Sequence, residues 1–290
     1  MSPEPILSHV LPVERVIGSS PLVCAGLFRC EPHDPIFPGG DPCSSFCIVF
    51  PREAAWIQHE GGPRFVADSS VATLYNQGQV YRRWKVGNRP DRCDWLAFRS
   101  DVVREAVRAC NGHDADHPTS PLRFGFAPVS AAVYTEQRRL FEDLATGRSP
   151  GSLEMEEHAL GLLQAVVKSA YGVSRLSELS RPVSTRARES VEYVRQIIAR
   201  RPEDRSTLAE LATAVHLSPF HLCREFHAAT GMTISSYRTE LRLRGSLERI
   251  AAGDDLTTIA LAQGFVSHSH FTHAFRRHFG SPPSSFRATR

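Results

Sequence analysis

The sequence predicts an α+β chain: an antiparallel β-barrel with flanking helices, then an all-α domain. Three observations predict it. Residues 16–98 hold short apolar runs broken by Gly, Pro, Asp and Asn. From residue 101 the apolar spacing becomes helical, and residues 208–287 contain an internal repeat. A length of 290 residues suits two domains of ordinary size.

Bulk properties narrow the function classes. A chain with 41% hydrophobic and 22% charged residues is globular. It has no run of about 18 apolar residues, so no membrane-spanning helix is expected. Residues 1–12 carry Glu4 and no Lys or Arg, unlike the basic start of a secretory signal, and the expected location is the cytoplasm. Seven cysteines, an odd number, argue against a disulfide framework in that compartment. The net charge of +3 is unevenly spread. Residues 185–290 hold 15 Lys and Arg against 10 Asp and Glu, whereas the remainder is net −2. An excess of positive charge at the carboxyl end is what a phosphate-contacting surface needs.

The elements follow in order. Runs such as Phe46-Cys47-Ile48-Val49-Phe50 and Val71-Ala72-Thr73-Leu74-Tyr75 read as strands, with turns at residues 38–42 and 61–63, and together suggest a barrel or sandwich over about 16–98. Helices fill about 100–172: Val103 and Val107 mark one, Leu140, Phe141 and Leu144 another. A third, 153–171, carries Leu160, Leu163, Val166 and Val167. That last face is a candidate dimer contact, or else the cover of the barrel. Residues 1–172 thus form a sensing or dimerisation domain. Residues 173–188, rich in Ser and Arg with one Pro, read as a linker, and 189–290 as the second domain. Helices are expected at 187–200, 208–215, 219–230, 233–251, 256–263, 267–279 and 283–287.

The repeat carries the functional signal. Leu208, Leu211, Ala212 and Leu217 recur as Leu256, Ile259, Ala260 and Phe265. After one inserted residue, Leu222, Phe226, Gly231 and Tyr237 recur as Phe271, Phe275, Gly280 and Phe286. Each copy has the logic of a helix-turn-helix. A small Ala lets two helices approach, and an apolar plug fills the turn. A serine, Ser218 or Ser267, caps the second helix, and a glycine ends it. Pro219 is pre-set for helix entry. Such helices could instead form a plain bundle. Against that, the outer face of the second helix offers Phe220, His221, Cys223 and Arg224 in the first copy. In the second copy it offers His268, Ser269, His270, His273, Arg276 and Arg277, groups that suit base edges and phosphates.

Residues 209–226 (AELATAVHLSPFHLCREF) and 264–283 (GFVSHSHFTHAFRRHFGSPP) closely resemble the two halves of the AraC/XylS family DNA-binding domain. The resemblance covers about 191–290. It implies two recognition helices in successive major grooves of double-stranded DNA, joined by a rigid helix, here 233–251. It assigns base reading to Phe220, Cys223 and Arg224, and to Ser269, His270 and His273. Cys223 departs from the long polar residue usual there. Arg276 and Arg277 are phosphate contacts on this reading, Ser218 and His221 lie at the same helix start, and His268 at the start of the second. The resemblance further implies a transcription activator or other regulator with a cupin-like N-terminal barrel, a small-molecule effector, a homodimer, and RNA polymerase as a partner.

Five cysteines lie in the barrel region. Cys30, Cys43, Cys47 and Cys93 are candidate zinc ligands, or part of a thiol sensor, the alternative function. On an extended strand Cys43 and Cys47 would sit about 13 Å apart, so a bend near Pro42 is required. Small buried hydrophobes would show the same residues. A cupin enzyme needs a His and Glu metal set, and only His33, His59 and Glu60 offer one, without a His-x-His pair; no catalysis is expected. Alkylation-repair proteins join a cysteine-zinc methyl acceptor to the same kind of DNA-binding domain, but their tightly spaced cysteine motif is absent. His268, His270 and His273 do not share a helix face, which favours DNA contact over metal.

Overall fold

The computed structural model describes residues 13–148, 151–178 and 184–287. The expectation for 1–12 lies outside the described residues. The chain divides into two compact units, Met1–Leu179 and Ser180–Arg290.

Eight strands open the first unit: β1 (Glu14–Ser19), β2 (Val23–Cys30), β3 (Phe46–Pro51), β4 (Ala55–His59), β5 (Arg64–Ala67), β6 (Val71–Tyr75), β7 (Tyr81–Lys85) and β8 (Asp91–Phe98). Helices α1 (Ser100–Arg108) and α2 (Gly112–Ala115) follow, then strand β9 (Phe126–Pro128), α3 (Ala131–Ala145) and α4 (Ser152–Glu178). The strands form two separate antiparallel sheets, ordered β1-β2-β8-β3-β6-β9 and β5-β4-β7. This corrects the expected barrel: the sheets do not close on one another. The physical reason is that six strands pair into one continuous ladder while three short ones pair among themselves, so the apolar faces meet through side chains alone. β9 is a strand that the helical pattern after residue 101 hid.

Alternation places Cys24, Phe28 and Cys30 of β2, Cys47 of β3 and Trp95 and Ala97 of β8 in one buried cluster. Gly26 is needed there because any Cβ would collide with the Trp95 indole ring. Buried Asp94 of β8 accepts hydrogen bonds from Arg52 (2.9 Å) and from Gln137 of α3 (2.5 Å), tying that helix to the sheet. On α4, Met155, Ala159, Leu162, Leu163, Val166 and Val167 are buried. Ser169 of that helix donates to the Pro128 carbonyl at 2.7 Å, and Tyr171 to Asp114 at 2.6 Å. The candidate dimer face of 153–171 is therefore spent inside the protomer, covering the sheet.

The expected linker 173–188 is helical at both ends, since α4 runs to Glu178 and α5 spans Thr185–Arg200. Lacking an apolar face does not stop a helix once it is nucleated, because each added residue gains a backbone bond. Residues 179–183 lie outside the described residues.

The second unit adds α6 (Leu208–Ala214), α7 (Pro219–Thr230), α8 (Ile234–Ala251), α9 (Leu256–Ala262) and α10 (His268–Phe279), closing on a 3-10 turn at Pro283–Phe286. Val191, Val194 and Ile198 of α5 pack with Leu211, Ala212, Leu222, Phe226, Tyr237 and Leu241. A second core stacks Phe265, Phe271, Phe275 and Phe279, with neighbouring ring centroids 4.6 to 5.6 Å apart. Such edge and tilted contacts add about 0.5–1.5 kcal/mol each beyond the area they bury.

Candidate nucleic-acid interface and inter-sheet cavity

The two copies of the motif are capped at matching positions. Thr207 and Asp255 cap α6 and α9, accepting from Glu210 N at 3.2 Å and Thr258 N at 2.8 Å. The Thr207 N–H, donating to the Glu210 carboxyl at 2.7 Å, and the Thr258 N–H, donating to Asp255, hold those two carboxyls below the usual range. Ser218 and Ser267 cap α7 and α10, accepting from His221 N at 3.2 Å and His270 N at 3.1 Å. Gly231 and Gly280 end those helices in the left-handed conformation, at φ 71° and 76°. The turn between helices needs positive φ as well. Gly264 supplies it at 75°, and the matching position is His216 at 56°, the sole non-glycine with positive φ among the described residues.

With α7 and α10 pinned by buried Leu222 and Phe226, and Phe271 and Phe275, their opposite faces point to solvent. Ser218, Phe220, Cys223 and Arg224 are exposed and His221 is half-buried. His268, Ser269, His270, His273, Arg276 and Arg277 are all exposed. Phe220 stands 77% exposed, which no packing argument explains. The structure thus leaves every residue of the two predicted sets exposed or half-buried, on the parts of α7 and α10 that their apolar faces do not occupy. The two faces differ in electrostatics. On α10 no acid stands among the cations. On α7, Glu225 holds Arg224 at 3.0 Å and His221 at 3.3 Å, so any ligand of Arg224 would exchange an ion pair worth about 1 kcal/mol or less.

Sequence reasoning missed two residues. His227 is exposed on the same face of α7, and the repeat offset that matches Phe226 to Phe275 also matches His227 to Arg276. Arg242 on α8 is the other. It donates to the carbonyls of Pro202 (2.5 Å), Glu203 (3.1 Å) and Asp204 (3.0 Å) beyond α5, and to that of Gly264 (3.4 Å) in the second turn. One guanidinium therefore ties the loop that precedes the first helix-turn-helix unit and the turn of the second to the helix between them. No sequence pattern separates it from a solvated arginine. Gly264 belongs to the same junction, because a Cβ there would lie 2.6 Å from the Glu203 carbonyl oxygen.

In the first unit a cavity of about 90 Å³ lies between the sheets, lined by Phe28, Cys43, Cys47, Tyr75, Tyr81 and Trp95 among others. Burial pushes the Tyr75 and Tyr81 hydroxyls well above their usual range, so both act as neutral hydrogen-bonding groups. Arg83, buried beside the cavity floor, pairs with Asp91 at 3.4 Å and donates to the Phe37 carbonyl at 2.6 Å. Burial raises Asp91 to about 6 despite that partner.

The candidate zinc set is not assembled. Among the described residues no three His, Cys, Asp or Glu side chains are grouped to hold a metal. Register gives the reason: Cys47 pairs with Ala97, whereas Cys93 pairs with Phe28 and Pro51, and Cys30 with Asp91. Four residues of β8 separate Cys93 from the row of Cys47, about 13 Å. Cys43 and Cys47 do meet, with sulfurs 3.8 Å apart.

Residues 211–289 match a family model described as a helix-turn-helix domain. The chain is 32% identical over 111 residues to the HTH-type transcriptional regulator RipA of Corynebacterium diphtheriae, covering 38% of this chain and 33% of that protein. It therefore spans about a third of the length of that relative. It is 24% identical over 233 residues to the arabinose operon regulatory protein of Salmonella typhimurium, covering 80% of this chain and 79% of the other. A third relative is the bifunctional transcriptional activator/DNA repair enzyme Ada of Escherichia coli, 38% identical over 81 residues, 28% of this chain and 23% of that one. The carboxyl-terminal unit thus carries a helix-turn-helix domain, and over that domain the chain is similar to transcription regulators.

Proposed function

We propose that this chain is a one-component, sequence-specific transcription regulator whose N-terminal unit receives a small effector. One observation carries the reading: two helix-turn-helix units, whose second helices each start at a capping serine and end at a left-handed glycine, leave polar and basic side chains of those helices open to solvent. A spine of 18 residues is about 27 Å long, close to the roughly 34 Å rise of one DNA turn. The effector site is the inter-sheet cavity. Its volume of about 90 Å³ is below the ~150 Å³ that admits benzene, so a small ligand or an outward movement of the wall is required.

On this reading the protein acts in the cytoplasm, without catalysis of its own, and engages RNA polymerase at promoters. It acts as a homodimer through a surface other than the Leu and Val face of α4. No helix among the described residues is long and apolar enough to cross a membrane. Selection of binding sites from random duplexes tests the proposal. The expected result is two short sequence blocks about 10 base pairs apart per protomer. Arg224→Ala should relax the preference in one block by about 1–3 kcal/mol. Equal affinity for all duplexes at every salt concentration would sink it.

A further inference from the structure

We propose that Cys43 and Cys47 are a reactive dithiol that a hydroperoxide converts into an intrachain disulfide in the wall of the inter-sheet cavity. The segment before β3 bends at Ser44 and Ser45, and this brings together two sulfurs that an extended strand would hold apart. They lie 3.8 Å from one another, and side-chain rotation with a small shift of the loop closes the remaining gap to the ~2.05 Å of a disulfide. Register sets Cys93 and Cys30 apart, as they face residues further along β2 and β8, while Cys24 shares the row of Cys47 from the far side of Ala97.

The two partners are not equivalent. Cys43 is half-buried in the loop and lines the cavity, whereas Cys47 is 8% exposed on its strand. The hydrogen bond with Cys47 holds the Cys43 thiol below its usual range, against the opposing effects of burial and of Glu14. That same bond, with burial, pushes Cys47 up. Cys43 is thus the attacking thiolate and Cys47 the resolving thiol. In the first step the Cys43 thiolate attacks one peroxide oxygen, the O–O bond breaks, and the leaving oxygen takes a proton as water. Cys43 becomes a sulfenic acid. In the second step the Cys47 sulfur attacks the Cys43 sulfur, and the sulfenic hydroxyl leaves with the thiol proton as a second water. One peroxide is reduced for two thiols oxidised.

The bond would act on the cavity. The main chain of Cys43 is paired with the turn after β6, accepting from Gly78 N at 2.8 Å and donating to the Gln79 carbonyl at 3.0 Å. Asn76 in that turn bonds to the main chain of Leu122 through both side-chain atoms, at 2.9 and 3.0 Å. Drawing Cys43 toward β3 pulls on this wall. The chemistry stands independently of the DNA-binding reading.

The full chain treated with hydrogen peroxide, alkylated without reduction and digested tests it. The expected product is a peptide spanning Cys30 to Arg52 that has lost two hydrogens, with Cys30 still alkylated and the loss reversed by dithiothreitol. In Cys47→Ser, the sulfenic acid on Cys43 should be trapped by dimedone, and in Cys43→Ser the peptide should keep all its hydrogens. Labelling of Cys43 and Cys47 unchanged after peroxide overturns the proposal. So does a disulfide to Cys24 or Cys93, or one between chains.

Discussion

The two units put their chemistry in opposite places. In the carboxyl-terminal unit the candidate DNA-contacting side chains are exposed or half-buried and the repeat buries only apolar ones. In the amino-terminal unit the chemically distinctive side chains, Cys43, Cys47, Tyr75, Tyr81, Arg83 and Asp91, line two neighbouring cavities that share Tyr75 and Tyr81. The difference teaches which positions stability can spare. An exposed helix face can change its specificity with little effect on folding, whereas every change in the cavity wall is also a change to a core.

Four measurements break or sharpen that contrast, and the core comes first. Phe275→Ala and Trp95→Ala should each cost about 3–5 kcal/mol in their own unit, read by denaturant unfolding. Only the first should abolish DNA binding. If Trp95→Ala abolishes binding equally, the units do not fold separately. Next, Arg242→Ala leaves four carbonyl contacts unmade and should cost about 2 kcal/mol. It should weaken binding to a two-block site by at least about tenfold relative to a single block, the loss expected when about 1.4 kcal/mol of positioning is removed. Gly264→Ala, strained at φ 75° and crowded by Glu203, should lose binding in the same way.

Acid separates the units through their buried histidines. Burial holds His278, beside Arg244, at about 4 and His59 at about 4, below the ordinary 6.5. Unfolded chains take up these protons from pH 6.5 downward while the folded units resist, so both histidines lose stability between pH 6.5 and 4. Asp91 works in the other direction: its carboxyl, raised to about 6, favours the folded state as pH falls from 6 toward 3.8. The carboxyl-terminal transition should therefore fall further than the amino-terminal one in calorimetry between pH 6.5 and 4.5, by an amount on the order of 2 kcal/mol after solvent screening. His278→Gln should flatten that fall. The smallest effect is at the surface. Arg277→Ala should leave stability within about 0.5 kcal/mol and lower the salt slope of DNA binding by about 1. A larger loss of stability would mean that Arg277 supports the fold.

How much of this was legible depends on the range of the interactions. The duplicated motif could be read residue by residue, because caps, turn glycines and i, i+4 apolar pairs act within a few positions of one another. Ser218, Ser267, Gly231 and Gly280 have the roles that their spacing implied. The sheets were less legible. Strands were visible as runs, but β9 falls among helices and the division into two sheets depends on which edges pair. The face of α4 was ambiguous for the same reason, since an apolar stripe states that it must be covered and not by what. The candidate zinc set failed on register, which moves Cys93 a distance of four residues from Cys47.

The sequence by itself determined the helix-turn-helix repeat, its capped boundaries and the side chains on its open faces, because local hydrogen bonds and helical periodicity specify them. The tertiary structure alone decided that Arg242 ties the loop before the first motif to the turn of the second, that the sheets stay open, and that Cys43 meets Cys47 without Cys93. Those outcomes depend on backbone groups and strands far apart in the chain, whose pairing energies are set by the whole fold rather than by any neighbour in sequence.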